Sequence, residues 1–205
     1  MAMSASDRSK RVDQYEHGPE RLRQALSRVP DGIVKWRPAP GKWSVHEIVC
    51  HAADSEVNAY ARLRYLLAEK EPVIVGYDQD EWARAFDYHA LPLEPSLAVV
   101  EAVRGSTASI LRRLTGEAWE KKGRHTEKPG DYTVEDWLKT YADHLEGHAR
   151  QIDRNVDAWQ TGGNRPSAAA YSALCGASAT ASRRWVRARS VCPRRLRLWP
   201  IAKWP

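Results

Sequence analysis

The stretch from Thr133 to Trp159 carries the strongest constraint on what this chain can fold into. Taken at about 100° per residue with His144 as origin, Val134, Leu138, Leu145, Ile152 and Trp159 gather at roughly 60–120°. Glu135, Lys139, Glu146, Arg150, Asp153 and Asp157 gather at roughly 180–240°, the side expected to face water. That is a long amphipathic helix. Trp137, His144, His148, Gln151 and Asn155 lie within about 40° of the origin, at one edge of the apolar stripe. His144 and His148 are therefore one turn apart on one face, in register to hold a single metal ion.

Two nitrogens do not make a protein metal site, so a third ligand must come from another segment. The best candidate is His51, in a second helical stretch. With His51 as origin, Ile48, Ala52, Ala59, Leu63 and Leu66 form the apolar stripe at roughly 60–120°. Ser55, Asn58 and Arg62 share the face of His51. Two facing polar seams would enclose a cavity holding three imidazoles. An inward histidine is as readily a satisfied core residue, so the pattern by itself leaves both readings open. The pair is not the His-Glu-x-x-His of zinc peptidases. Glu146 stands two residues after His144 and about 200° around the helix, too far to act as that general base.

The remaining elements follow from punctuation. Residues 1–18 are polar and end at Gly18-Pro19, which predicts a loose N-terminal arm. A first helix is predicted from Pro19 to about Val29. Residues 30–43 read as a proline-marked loop anchored by Trp36 and Trp43. The second helix opens on a Ser44–Glu47 capping box and runs to about Lys70. Asp78 caps a short extra helix, and a third long helix spans about Pro95 to Leu114. Residues 115–132 are turn-rich and read as a functional loop or lid, and Thr133 caps the last helix. No strand alternation stands out. The sum is an all-α four-helix bundle with long crossovers, covering residues 19–160 and carrying its site between helices.

Charge restricts the partners. The chain carries +6 overall, yet residues 161–205 hold eight Arg, one Lys and no acid. Residues 1–160 hold 23 of the 32 Lys+Arg against all 26 Asp+Glu, which leaves −3. A mildly acidic bundle has no basic stripe for nucleic acid. No apolar run approaches the ~18 residues of a membrane span, and the N-terminus has no signal-peptide core. Cys50, Cys175 and Cys192 have neither the even number nor the spacing of a disulfide framework, so a cytoplasmic location is expected. The tail after residue 160 reads as a basic low-complexity segment without helical periodicity, expected to be disordered.

Three segments together resemble the DinB/YfiT-like superfamily: Arg37-Pro-Ala-Pro-Gly-Lys-Trp-Ser-Val-His-Glu-Ile-Val-Cys-His51 and its continuation to Arg62, Asp78-Gln-Asp-Glu-Trp82, and Tyr141-x-x-His144-x-x-x-His148-x-x-Gln-Ile152. The resemblance covers roughly residues 19–158. It implies an up-down-down-up bundle, often a homodimer, with His51, His144 and His148 holding a divalent metal, commonly zinc or nickel. It also implies several chemistries. One is transfer of a low-molecular-weight thiol such as bacillithiol, mycothiol or glutathione to an electrophile; others are maleylpyruvate isomerisation and metal-dependent hydrolysis. A metal-stabilised, stress-linked bundle without catalysis is a further reading. For a thiol S-transferase, Arg62, with Asn58 beside it, is the candidate to bind the cosubstrate, and Asp54 could orient an imidazole. For a hydrolase, Asp54 or Glu56 are the candidate bases. Deleting residues 161–205 is predicted to leave helicity and melting temperature nearly unchanged; a large loss by circular dichroism would show that the tail supports the bundle.

Overall fold

The computed structural model describes residues 3–162, so the basic tail lies outside the described residues. Four rods form the bundle. The first is α1 (Ala5–Glu16) continued by α2 (Gly18–Leu26). The others are α3 (Val45–Ala68), α5 (Leu93–Leu111) and α7 (Val134–Thr161). The crossovers carry two short helices, α4 (Gln79–Ala85) and α6 (Gly116–Glu120), and a 3₁₀ turn at Tyr88–Ala90. Among the described residues no helix is long and apolar enough to cross a membrane.

The first rod corrects the expected loose arm. Ser4 caps α1 by accepting from the Asp7 amide, and Val12 and Tyr15 are buried. Met3 N and Arg8 Nε reach Glu135 of α7, the latter at 2.7 Å. Glu135 is therefore buried under α1 instead of facing water as the periodicity suggested. Gly18-Pro19 does not end the segment; it breaks a rod. Pro19 has no N–H to give the carbonyl of Tyr15 four residues back, and Arg104 Nη1 of α5 donates to that carbonyl instead.

The long helices start where their side chains dictate. Ser44 and Glu47 form a reciprocal capping box on α3, and Thr133 and Asp136 form one on α7. Their buried faces make two apolar clusters. One centres on Tyr15, Leu63, Leu66, Trp137 and Tyr141. The other centres on Leu22, Ile48, Leu97, Leu145 and Ile152. Full burial of each such side chain contributes about 1.5–3 kcal/mol. Trp137 is completely buried because its indole N–H donates to the Ala59 carbonyl at 3.0 Å.

A small sheet also departs from the all-helical expectation. β1 (Val73–Ile74) pairs parallel with β2 (Lys122–His125), which pairs antiparallel with β3 (Asp131–Thr133). Strands of two to four residues are too short to alternate visibly in sequence. Gly123 is required because a Cβ there would stand 2.5 Å from the Pro72 carbonyl oxygen. The sheet fixes the turn between β2 and β3 beside the segment that follows β1.

Acid should expose the worth of the α3 cap. Burial would raise the Glu47 carboxyl, but Arg37 and the Ser44 amide and hydroxyl outweigh it and hold it down to about 2, against 4.5 ordinarily. Below pH 4.5 the unfolded chain takes up a proton that the folded chain refuses, so this stability is full above 4.5 and is lost towards pH 2. Allowing for solvent screening at Arg37, it is on the order of 2 kcal/mol. Glu47→Gln should cost that much at pH 7 in urea unfolding and much less at pH 3; an equal cost at both would refute the linkage.

Candidate metal centre

The bundle brings His51 of α3 together with His144 and His148 of α7, with one ring nitrogen of each lying within 4.8 Å of the others. His51 is 4% exposed, and its ring packs on Trp43 at 4.6 Å, on His148 at 5.0 Å and on His144 at 5.8 Å. Trp43 is held by its carbonyl, which accepts from Asn155 Nδ2 at 2.9 Å. The loop before α3 and the end of α7 thus wall one side of the cluster.

The hydrogen bonds fix the chemistry of the two α7 rings. His144 Nδ1 donates to Glu56 Oε1 at 2.8 Å, and His148 Nδ1 donates to Gln151 Oε1 at 3.0 Å. Both partners are acceptors, so in each neutral ring the proton sits on Nδ1 and Nε2 is a bare lone pair. These Nε2 atoms stand 3.1 Å apart. Two bare lone pairs cannot bond each other. Charging one ring would cure the clash, but burial opposes it. Burial and then the charge of His144 push His148 down to about 4. Burial and then the two neighbouring histidines push His51 down to about 2. His51 Nδ1 is buried without a hydrogen-bond partner. Two Nε2 atoms facing each other at 3.1 Å, with a third imidazole packed against them, are what a cation would satisfy. Three imidazoles with space in front of them fit a divalent metal that keeps open positions.

The space in front is a cavity of about 360 Å³, lined beyond the histidines by Ser55, Arg62, Tyr77, Gln79, Glu127, Thr140 and Tyr141. Arg62 Nη1 donates to the Tyr141 hydroxyl at 2.8 Å, Nη2 donates to the Val75 carbonyl, and the guanidinium lies 5.8 Å from the Tyr77 ring. Arg62 therefore reaches the cavity as expected, but as a brace between α7 and the segment after β1.

The other sequence candidates are placed differently. Asn58 turns away and donates to the Asp54 carbonyl of its own helix at 2.8 Å. The Asp54 carboxylate accepts from the Tyr88 hydroxyl at 2.6 Å and does not orient an imidazole. Glu56 does that, from behind His144. It is fully buried and accepts from Arg104 Nη2 at 2.7 Å through the same oxygen that His144 addresses. Burial would raise its carboxyl, but Arg104 and His144 hold it down to about 2. Glu56 does not line the cavity.

Sequence reasoning missed Tyr77, Gln79 and Glu127, which come from connections with no periodic signal. It also missed Arg104, for which a signal exists: a lone charge at helical spacing within the apolar series Leu97, Val100, Ala108 and Leu111.

The chain is similar to known proteins in both sequence and fold. The sequence model of the DinB superfamily matches residues 14–152. An Oceanobacillus iheyensis protein, named among metal-dependent hydrolases, is 38% identical over 141 residues, which is 69% of this chain and 81% of its own. Bacillus subtilis YfiT, similarly named, is 28% identical over 151 residues, covering 74% of this chain and 85% of its own. The solved YfiT structure, described as an unusual four-helix bundle, superposes with a TM-score of 0.70 at 28% identity, over 75% of this chain and 88% of that one. With two-thirds of its length matched by the family model and a bundle of the same topology around its three histidines, the chain belongs to the DinB superfamily.

Proposed function

We propose that His51, His144 and His148 hold one divalent ion, zinc or nickel, and that the protein is a metal-dependent S-transferase for a low-molecular-weight thiol. When bound, such an ion supplies Lewis acidity, which favours the anionic form of a thiol or a water that reaches it. The residues supply the rest. Nδ1 partners hold the α7 imidazoles in one tautomer and aim them. Trp43 covers His51 on one side. Arg62, held at the cavity wall by Tyr141 and Val75, offers positive charge to a carboxylate of the thiol cosubstrate.

The observation that carries this reading is the disposition of the α3 acids. Hydrolysis of an ester or amide needs a group that takes a proton from water and returns it to the leaving group. Asp54 is engaged by Tyr88, and Glu56 is sealed between Arg104 and His144. A thiol, with an ordinary pKa of about 8.5, makes a smaller demand. Hydrolysis is the second reading. It is favoured by the names of the relatives and by Glu127, a cavity carboxylate from the β2–β3 turn that could serve as base.

Purified protein should carry about one divalent ion per chain after gel filtration, falling sharply in His148→Ala. Equal metal content in the two would remove the site from these residues. Activity towards a model electrophile should need an added thiol and persist at neutral pH, and His144→Ala should abolish it. Arg62→Ala should raise KM for a carboxylate-bearing thiol about tenfold with a smaller effect on kcat. Thiol-independent turnover of an ester or amide that disappears with the metal would overturn the transferase and establish the hydrolase. Metal binding with neither activity would favour a non-catalytic, metal-stabilised bundle.

A further inference from the structure

We infer that Arg104, a residue of α5 that does not touch the cavity, is the positioning residue of the metal centre, acting through Glu56 on His144. The inference rests on the reading of the three histidines as ligands. Three donations define it. Arg104 Nη2 gives to Glu56 Oε1 at 2.7 Å and to the Tyr141 carbonyl at 2.7 Å, and Nη1 gives to the Tyr15 carbonyl. The guanidinium also lies 4.1 Å from the Tyr15 ring. Arg104 and Glu56 are both fully buried.

A buried ion pair is poor evidence of stability. Its desolvation often cancels its attraction, and a well-packed apolar pair of the same volume does as well or better. What this pair adds is direction. Glu56 Oε1 receives the guanidinium on one side and His144 Nδ1 on the other at 2.8 Å, while Oε2 has no partner. An oxygen held as acceptor by Arg104 is an acceptor towards His144 too. His144 must therefore present Nδ1–H behind and a bare Nε2 in front. Fixing a ligand's tautomer and angle through a hydrogen-bonded carboxylate typically accounts for about 10–100-fold in metal affinity.

The position of the guanidinium depends in turn on Gly18. A Cβ there would stand 2.3 Å from Arg104 Nη1 and 3.1 Å from its Cζ. The break in the first rod thus makes room for the guanidinium twice: Pro19 frees the Tyr15 carbonyl, and Gly18 leaves the space.

Two variants test the inference, each read by zinc affinity in competition with a chromophoric chelator and by ¹⁵N NMR of the His144 tautomer in metal-free protein. Arg104→Met removes the guanidinium at similar volume. Gly18→Ala keeps its charge and displaces it. Either folded variant should lose tenfold or more in zinc affinity, and the His144 Nδ1–H signature should weaken or vanish. A role in packing alone would change the melting temperature and leave the tautomer as in wild type. If Arg104→Met does not fold, Gly18→Ala decides. Wild-type affinity and tautomer in a folded variant overturn the inference. Failure of wild-type protein to take up either zinc or nickel would instead overturn the metal reading, with the tautomer measurement still deciding whether Arg104 sets the orientation of His144.

Discussion

A single guanidinium touches all four rods of this bundle. From α5, Arg104 donates to the Tyr15 carbonyl of the first rod, the Glu56 carboxylate of α3 and the Tyr141 carbonyl of α7. Two of those acceptors are main-chain oxygens, which must find donors when buried. The Tyr15 carbonyl needs one because Pro19 removes the amide that a continuous helix would supply. The other acceptor is a charge that could not be buried unpaired. One side chain thus satisfies a broken helix, an acid and a long helix together, and the result is a rigid shell behind His144. On the cavity side no such saturation exists. There the Nε2 atoms of His144 and His148 meet at 3.1 Å, with Nδ1 of each ring committed to Glu56 or Gln151.

Much of this was legible because helical periodicity reports the relation of a residue to the core. The apolar stripe of α7, the adjoining seam with His144 and His148, and the matching seam of α3 all follow from spacing, and the capping boxes fix where both helices start. The failures have physical causes. The Gly18-Pro19 pair has the chemistry of a chain break, and nothing local reveals that a side chain 86 positions on repairs it. The small sheet is held by two or three residue pairs at each strand pairing, with its register set by tertiary contact. By angle Asp54, about 60° from His51, is a better candidate than Glu56, about 140° away. What sets their roles instead is the neighbour each meets, Tyr88 for one and Arg104 with His144 for the other. That is information about α5, its approach loop and α7, absent from α3 itself.

The tryptophans illustrate how loops acquire rigid roles. Trp36 stacks edge-on against Trp159 at 5.2 Å, and Trp43 stacks on His51 at 4.6 Å. Between them the proline-rich segment before α3 is stitched to the end of α7. An aromatic face against a neutral imidazole excludes water from one side of the ring without offering it a hydrogen bond. Burial, to which Trp43 contributes, and then the two neighbouring histidines push the His51 imidazole towards its uncharged form, which the proposed role of ligand requires.

The division of labour follows from where each part of the site originates. The nitrogens and their orienting partners stand on α3, α5 and α7, where rotamers are locked by packing on two apolar clusters. The groups that would meet a substrate come from elsewhere: Tyr77 and Gln79 from the connection after β1, and Glu127 from the β2–β3 turn. Arg62 bridges the two sets, since it grows from α3 yet is tied to the Val75 carbonyl. Changes in the connections would alter what the cavity admits while leaving the three nitrogens where the helices put them. On the proposed reading, activation and substrate choice rest on separable parts of the chain, so that one bundle could serve different reactions without being rebuilt.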